Sequence, residues 1–146
     1  MSATIDANIL VYASDAENPL HESARSFVTK IAAGPEIVYL FWPTVMAYLR
    51  LATHPAVFRD PLPLKAALAN IEGLLGRPHV RVGSEGTPFW QRFDALARTS
   101  STSGNLVSDA HLAALMLEHE VTTIWTHDRD FRRFTGIKVR DPFKAA

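Results

Sequence analysis

The chain has 146 residues, enough for one domain with a sizeable core and no covalent staples. Its 47% hydrophobic and 21% charged residues are those of an ordinary globule, and a net charge of zero carries no global basic signature for nucleic acid, though a local basic face stays open. The absence of cysteine excludes disulfides, thiolate metal sites and cysteine nucleophiles, and suits a reducing cytoplasm.

Residues 3–12 form an apolar, β-branched-rich run interrupted by Asp6 and Asn8. Such a run reads as a strand buried on both faces, as in a parallel sheet. An ionised carboxylate there costs several kcal/mol or more unless it is paired or bound to a metal, so Asp6 needs a reason to be present. Residues 14–19 are polar and rich in turn formers, predicting a loop. Over residues 19–33, Leu20, Ala24, Phe27, Val28 and Ile31 recur at helical spacing before Gly34-Pro35 ends the pattern. Residues 37–41 predict a second buried strand. Pro43 suits the first turn of a helix whose inward stripe is Val45, Met46, Leu49 and Ala52.

A proline-rich loop over residues 53–63 precedes a helix over 64–75, closed by Gly76, and a short strand over 79–82. Residues 87–98 predict a helix with apolar positions Phe89, Trp90, Phe93, Leu96 and Ala97. After the loop at 100–104, a long helix runs from Leu106 or Ser108 to His119, with Ala110, Ala113, Ala114, Met116 and Leu117 inward. A strand over 121–125, a helical turn over 131–134 and a last strand over 137–139 complete the chain. Short buried strands alternating with helices predict one three-layer α/β/α domain over residues 1–146, with a central, mostly parallel sheet. No run approaches the ~20 apolar residues needed to span a bilayer, and Met-Ser-Ala-Thr carries no leader pattern, so no membrane contact is expected.

In a parallel sheet ligands bind beyond the carboxyl ends of the strands. Asp6 and Asp128 fall toward that end and Asp109 near a helix start, so three carboxylates converge on one edge. Clustered carboxylates repel, and at neutral pH must share protons or bind a cation. Hard oxygen ligands favour Mg²⁺ or Mn²⁺. The six histidines are scattered without an HExxH-like pair, which argues against zinc. Each acid also has a structural reading: Asp6 and Asp128 as turn caps, Asp109 as a first-turn acid, Asp130 as the N-cap of the helical turn. Asn8 either orients Asp6 or bonds only to backbone. His111 and His127 read as solvated or packing residues, and Trp42, Tyr48, Trp90 and Phe93 as core or dimer contacts.

The blocks Asp6-Ala7-Asn8, Asn105-Leu106-Val107-Ser108-Asp109-Ala110-His111 and Thr126-His127-Asp128-Arg129-Asp130-Phe131 together resemble the three signature blocks of PIN-domain nucleases. The Tyr48-Leu49-Arg50 stretch and the Thr53-His54-Pro55 turn extend the likeness to toxin ribonucleases of bacterial VapBC toxin–antitoxin pairs. The resemblance implies a Mg²⁺- or Mn²⁺-dependent endoribonuclease, usually dimeric and inhibited by a cognate antitoxin, cleaving RNA with a metal-activated water. Carried over by position, Asp6, Asp109 and Asp128 would be the catalytic and metal-holding acids, with Asn8, Thr126 and Asp130 supporting. Arg129, Arg132 and Arg133 would contact RNA phosphates. The chain departs from the family at Ala47, where a glutamate is common, and residues 42–50 contain no acid. One protein-bound metal, with a second recruited by substrate, is the resulting expectation. A PIN module that binds RNA or protein without turnover is the alternative. A receiver-like or haloacid-dehalogenase-like phosphoryl-transfer fold is disfavoured, because Asp6 is followed by Asn8 rather than a second aspartate.

Overall fold

Asp6 divides the first apolar run into two elements. In the computed structural model, which describes residues 2–144, β1 covers only Ser2–Ile5 and α1 follows as Ala7–Ser14. The strand expected over residues 3–12 is therefore half helix. Asp6 is the reason: its backbone is extended, and its side chain accepts from the Asn8 N–H, supplying the orphan donors of a helix start. Beyond it, Ala7, Leu10 and Val11 share the three- and four-residue spacing of a helix and are buried together. The same helix takes Ser14 out of the expected loop.

The remaining elements follow the pattern of apolar positions closely. They are α2 His21–Ala33, β2 Ile37–Phe41, α3 Trp42–Ala52, α4 Leu64–Leu75, β3 Val80–Gly83, α5 Phe89–Thr99, α6 Leu106–Glu118, β4 Thr123–Trp125 and β5 Lys138–Arg140. A 3₁₀ turn over Arg129–Arg133 joins the last two strands. The sheet has the order β3-β2-β1-β4-β5, and every pairing is parallel.

Successive strand residues point to opposite faces, and that alternation feeds two cores. Ile5, Leu40 and Val80 face a core completed by Leu10 and Val11 of α1, Tyr48 and Ala52 of α3, and Ala67 and Ile71 of α4. Phe41 and Ile124 face the opposite core, built with Leu96 of α5, Ala110 and Leu112–Met116 of α6, Phe131 and Phe134. This is the expected three-layer α/β/α architecture. On α3 the inward stripe is Thr44, Val45, Tyr48 and Ala52; Met46 was expected inward but is 55% exposed, and Leu49 is half-buried. Met46 instead shares the outer face with Trp42, one turn earlier and 40% exposed. Trp90, expected among the apolar contacts of α5, is 65% exposed.

The strand order decides where the chemistry can sit. From the central β1 the chain winds outward through β2 and β3, then returns to the other side of β1 as β4 and β5. The connections leave β1 and β4 in opposite directions, which opens a crevice beyond their carboxyl ends. Ile5 pairs with Trp125 in register, and the Asp6 N–H donates to the Trp125 carbonyl at 3.0 Å. Asp6 and Thr126 are thus brought side by side at that crevice.

Candidate metal centre

Each acid of the centre arrives on a helix start or its equivalent. Asp6 ends β1 and caps α1; Oδ1 accepts from the Asn8 N–H at 3.3 Å and Oδ2 from the Thr126 hydroxyl at 2.7 Å. Thr126, 1% exposed, is the hub between the two strands: its oxygen also accepts from the Asp128 N–H at 3.0 Å. Asp128 in turn caps the 3₁₀ turn, its Oδ1 accepting from the Asp130 N–H at 2.9 Å. Asp109 reaches the same place from the first turn of α6. One carboxylate oxygen from each of Asp109, Asp128 and Asp130 lies within 4.8 Å of the others.

These distances resolve the alternatives open in the sequence. Asp128 is a cap and also a member of the close trio; Asp6 is a cap outside that trio, and it meets Asp128 through Thr126. The cap of the 3₁₀ turn is Asp128, not Asp130; Asp130 supplies the capped N–H and points its carboxylate toward Asp109 and Asp128. Asn8 holds Asp6 through its backbone N–H. Thr126 joins the Asp6 carboxylate to the Asp128 N–H, two groups from distant segments of the chain. The close trio contains Asp130, with Asp6 joined to Asp128 through Thr126.

The electrostatics record the crowding. Burial raises the Asp109 carboxyl to about 6, with Asp128, Asp6 and Asp130 adding like charge and Arg133 opposing them. Burial also raises Asp6, against hydrogen bonds from Thr126 and Asn8, and Asp128 pushes in the same direction. Like charges held this close favour either a shared proton or a bound cation. Arg129, Arg132 and Arg133 lie exposed on the 3₁₀ turn beside Asp128. The helices packed nearby contribute no further carboxylate from α3, where Ala47 is half-buried.

Beside the acids lies a cleft of about 190 Å³ lined by Asp6, Asn8, Tyr12, His127 and Asp128. Tyr12 went unnoticed in the sequence because residues 3–12 read as a strand; on a helix, Asn8 and Tyr12 share a face at a spacing of four. His111 is occupied elsewhere, donating to Glu85 Oε1 at 2.6 Å and meeting Phe89 edge-on.

Comparison with known proteins identifies the family and the fold. The family profile of the PIN domain matches residues 3–137. Ribonuclease VapC48 of Mycobacterium tuberculosis is 48% identical over 143 residues, covering 98% of this chain and 99% of its own. Ribonuclease VapC37 of the same organism is 34% identical over 141 residues, covering 94% of this chain and 95% of its own. The crystal structure of M. tuberculosis VapC20, described as a Sarcin-Ricin loop cleaving toxin, shares the fold with a TM-score of 0.65 at 19% identity, over 93% of this chain and 98% of that one. VapBC2 from Rickettsia felis, bound to a DNA fragment from its promoter, matches with a TM-score of 0.69 at 13% identity, over 97% and 98% of the two chains. The three blocks of residues, the parallel sheet that joins them and these relatives place the chain in the PIN-domain family, in its VapC group.

Proposed function

We propose that the protein is a metal-dependent endoribonuclease, the toxin of a toxin–antitoxin pair, acting as one PIN-like domain over residues 1–146. The observation that carries this reading is the meeting of Asp6, Asp109, Asp128 and Asp130, from three distant segments, at the crevice between β1 and β4. The donor set suits a hard divalent cation: carboxylate oxygens, with no cysteine or histidine in the trio, fit Mg²⁺ or Mn²⁺. Asp109, Asp128 and Asp130 would hold the ion, with Asp6 adding a fourth carboxylate held in place by Thr126 and Asn8. A bound divalent cation supplies Lewis-acid polarisation of a phosphoryl oxygen and lowers the pKa of water.

The chain's own residues set up the rest of the reaction. Thr126 and the two caps fix the carboxylates before substrate arrives, so that little reorganisation remains at the moment of reaction. Arg129, Arg132 and Arg133, exposed at the rim, are placed to meet phosphates flanking the scissile bond. Because α3 contributes no acid, one tightly held metal is expected per chain. The partners proposed are RNA, an antitoxin protein and a second copy of the chain. A fold neighbour from Klebsiella pneumoniae that is a toxin–antitoxin complex supports the antitoxin, and exposed Trp42, Met46 and Trp90 offer apolar surface for the second copy. Among the described residues no helix is long and apolar enough to cross a membrane, and the lack of cysteine agrees with a cytoplasmic location.

Incubation with structured RNA and Mg²⁺ or Mn²⁺ tests the reading. Wild type should cut, and Asp6→Asn and Asp109→Asn should lose ~100-fold or more of that activity. RNA binding without cleavage by the wild type would instead identify a binding module. Calorimetric titration of Mn²⁺ into metal-free protein should show one tight site; two tight sites would overturn the single-metal expectation.

A further inference from the structure

One wall of the acidic cleft is aromatic. Tyr12 comes from α1 and His127 from the segment after β4, and both line the cleft with Asp6, Asn8 and Asp128. Phe143 backs both rings, its centroid 6.2 Å from that of Tyr12 and 5.4 Å from that of His127, the latter edge-on at 69°. Asp141 fixes the histidine: His127 Nδ1–H donates to Oδ2 at 2.8 Å, while Oδ1 accepts from the Phe143 N–H at 2.9 Å. The Asp141 side chain is 12% exposed and that of His127 46%. A nearly buried carboxylate therefore holds one ring nitrogen and leaves much of the imidazole open to the cleft.

Ordering an exposed side chain costs conformational entropy that little burial offsets. Restraint of this kind is what a ligand-contacting group needs from its supporting residues. Burial, with Asp6 and Asp128 nearby, raises the Tyr12 hydroxyl. Aromatic and imidazole faces are the surfaces on which single-stranded RNA places its splayed bases.

We propose that Tyr12 and His127 seat one unstacked nucleobase of the RNA strand beside the carboxylates, with Asp141 as the positioning residue of His127. The inference rests on the nuclease reading and adds to it where the strand is gripped. The seat is sequence-tolerant in origin, because every base has a face to stack.

The probe is a set of single-stranded ribo-hexamers, each carrying 2-aminopurine at one position, mixed with the chain and Mg²⁺ in a stopped-flow fluorimeter. Stacking quenches this base, so wild type should quench at one or two positions. Tyr12→Leu and His127→Leu should each weaken the quenching interaction about tenfold, and Tyr12→Phe should retain it. Asp141→Asn keeps its oxygen for the Phe143 N–H and donates its amide N–H to Nδ1 of the Nε2–H tautomer of His127, and should stay within about twofold of wild type, whereas Asp141→Ala should behave like His127→Leu. Thermal melting confirms folding, and His127, being exposed, carries the test should Tyr12→Leu not fold. Unchanged quenching in both leucine variants, or none by wild type at any position, overturns the seat. Asp6→Asn, assayed in parallel on total RNA, separates the two readings: lost cleavage with retained quenching supports both. Quenching by wild type without any RNA cleavage refutes the nuclease and leaves the seat standing.

Discussion

Replacing Asp109 by Asn should make the metal-free protein more stable at pH 7 while abolishing its chemistry. The side chain keeps its shape and loses its charge, in a place where Asp128, Asp6 and Asp130 all repel that charge. Raising the carboxyl from 3.8 to about 6 corresponds to ~3 kcal/mol at most. Because Asp109 is only partly buried, solvent screening reduces this to ~1–1.5 kcal/mol. The sign follows from proton binding. Between pH 3.8 and about 6 the folded chain holds a proton that the unfolded chain has released, so stability falls as pH rises through that window and levels off above it. Urea denaturation in EDTA from pH 4 to 8 measures both quantities. Wild type should lose stability across the window, and Asp109→Asn should lose less and exceed wild type at pH 7. Saturating Mn²⁺ should raise wild-type stability and leave the variant nearly unmoved, since binding to the folded state stabilises by mass action. A variant less stable than wild type at pH 7 in EDTA would refute the reasoning, because the carboxylates would then not be in conflict.

Thr126→Val should destabilise by ~1–3 kcal/mol, because it leaves the Asp128 N–H and Asp6 Oδ2 without their shared partner. It also removes a hydrogen bond that lowers the Asp6 pKa, so the acid limb of the cleavage profile should move to higher pH; a pH–rate profile unchanged from wild type would exclude the hub role. Combined replacement of Arg129, Arg132 and Arg133 by Ala should reduce the slope of log Kd against log salt by ~2 for single-stranded RNA, at ~0.7 per lost phosphate contact. An unchanged slope would remove these arginines from the interface.

The layer architecture was legible because it depends on periodicity. Alternating runs such as 37–41 and 121–125, set between helical stripes, leave few ways to bury their apolar faces. Where the reading failed, local and tertiary demands coincide in composition. Residues 7–11, Asn8 apart, are apolar and suit either a strand or a helix, and only the cap made by Asp6 tells them apart. Trp42, Met46 and Trp90 have core-like side chains at helical spacing, yet they are 40%, 55% and 65% exposed.

By itself the sequence determined the layered α/β fold and the absence of cysteine, and it offered Asp6, Asp109 and Asp128, with Asp130 in support, as candidates whose positions made sense only together. It did so because hydrophobic spacing and residue type are written along the chain. The tertiary structure alone decided that Asp130 joins Asp109 and Asp128 while Thr126 ties in Asp6, and that Tyr12, His127, Asp141 and Phe143 share one wall. Those neighbours are up to 131 positions apart, from Tyr12 to Phe143, and which of them meet is set by the order in which parallel strands assemble. No local pattern encodes that order, because it is the burial of both sheet faces at once that selects it.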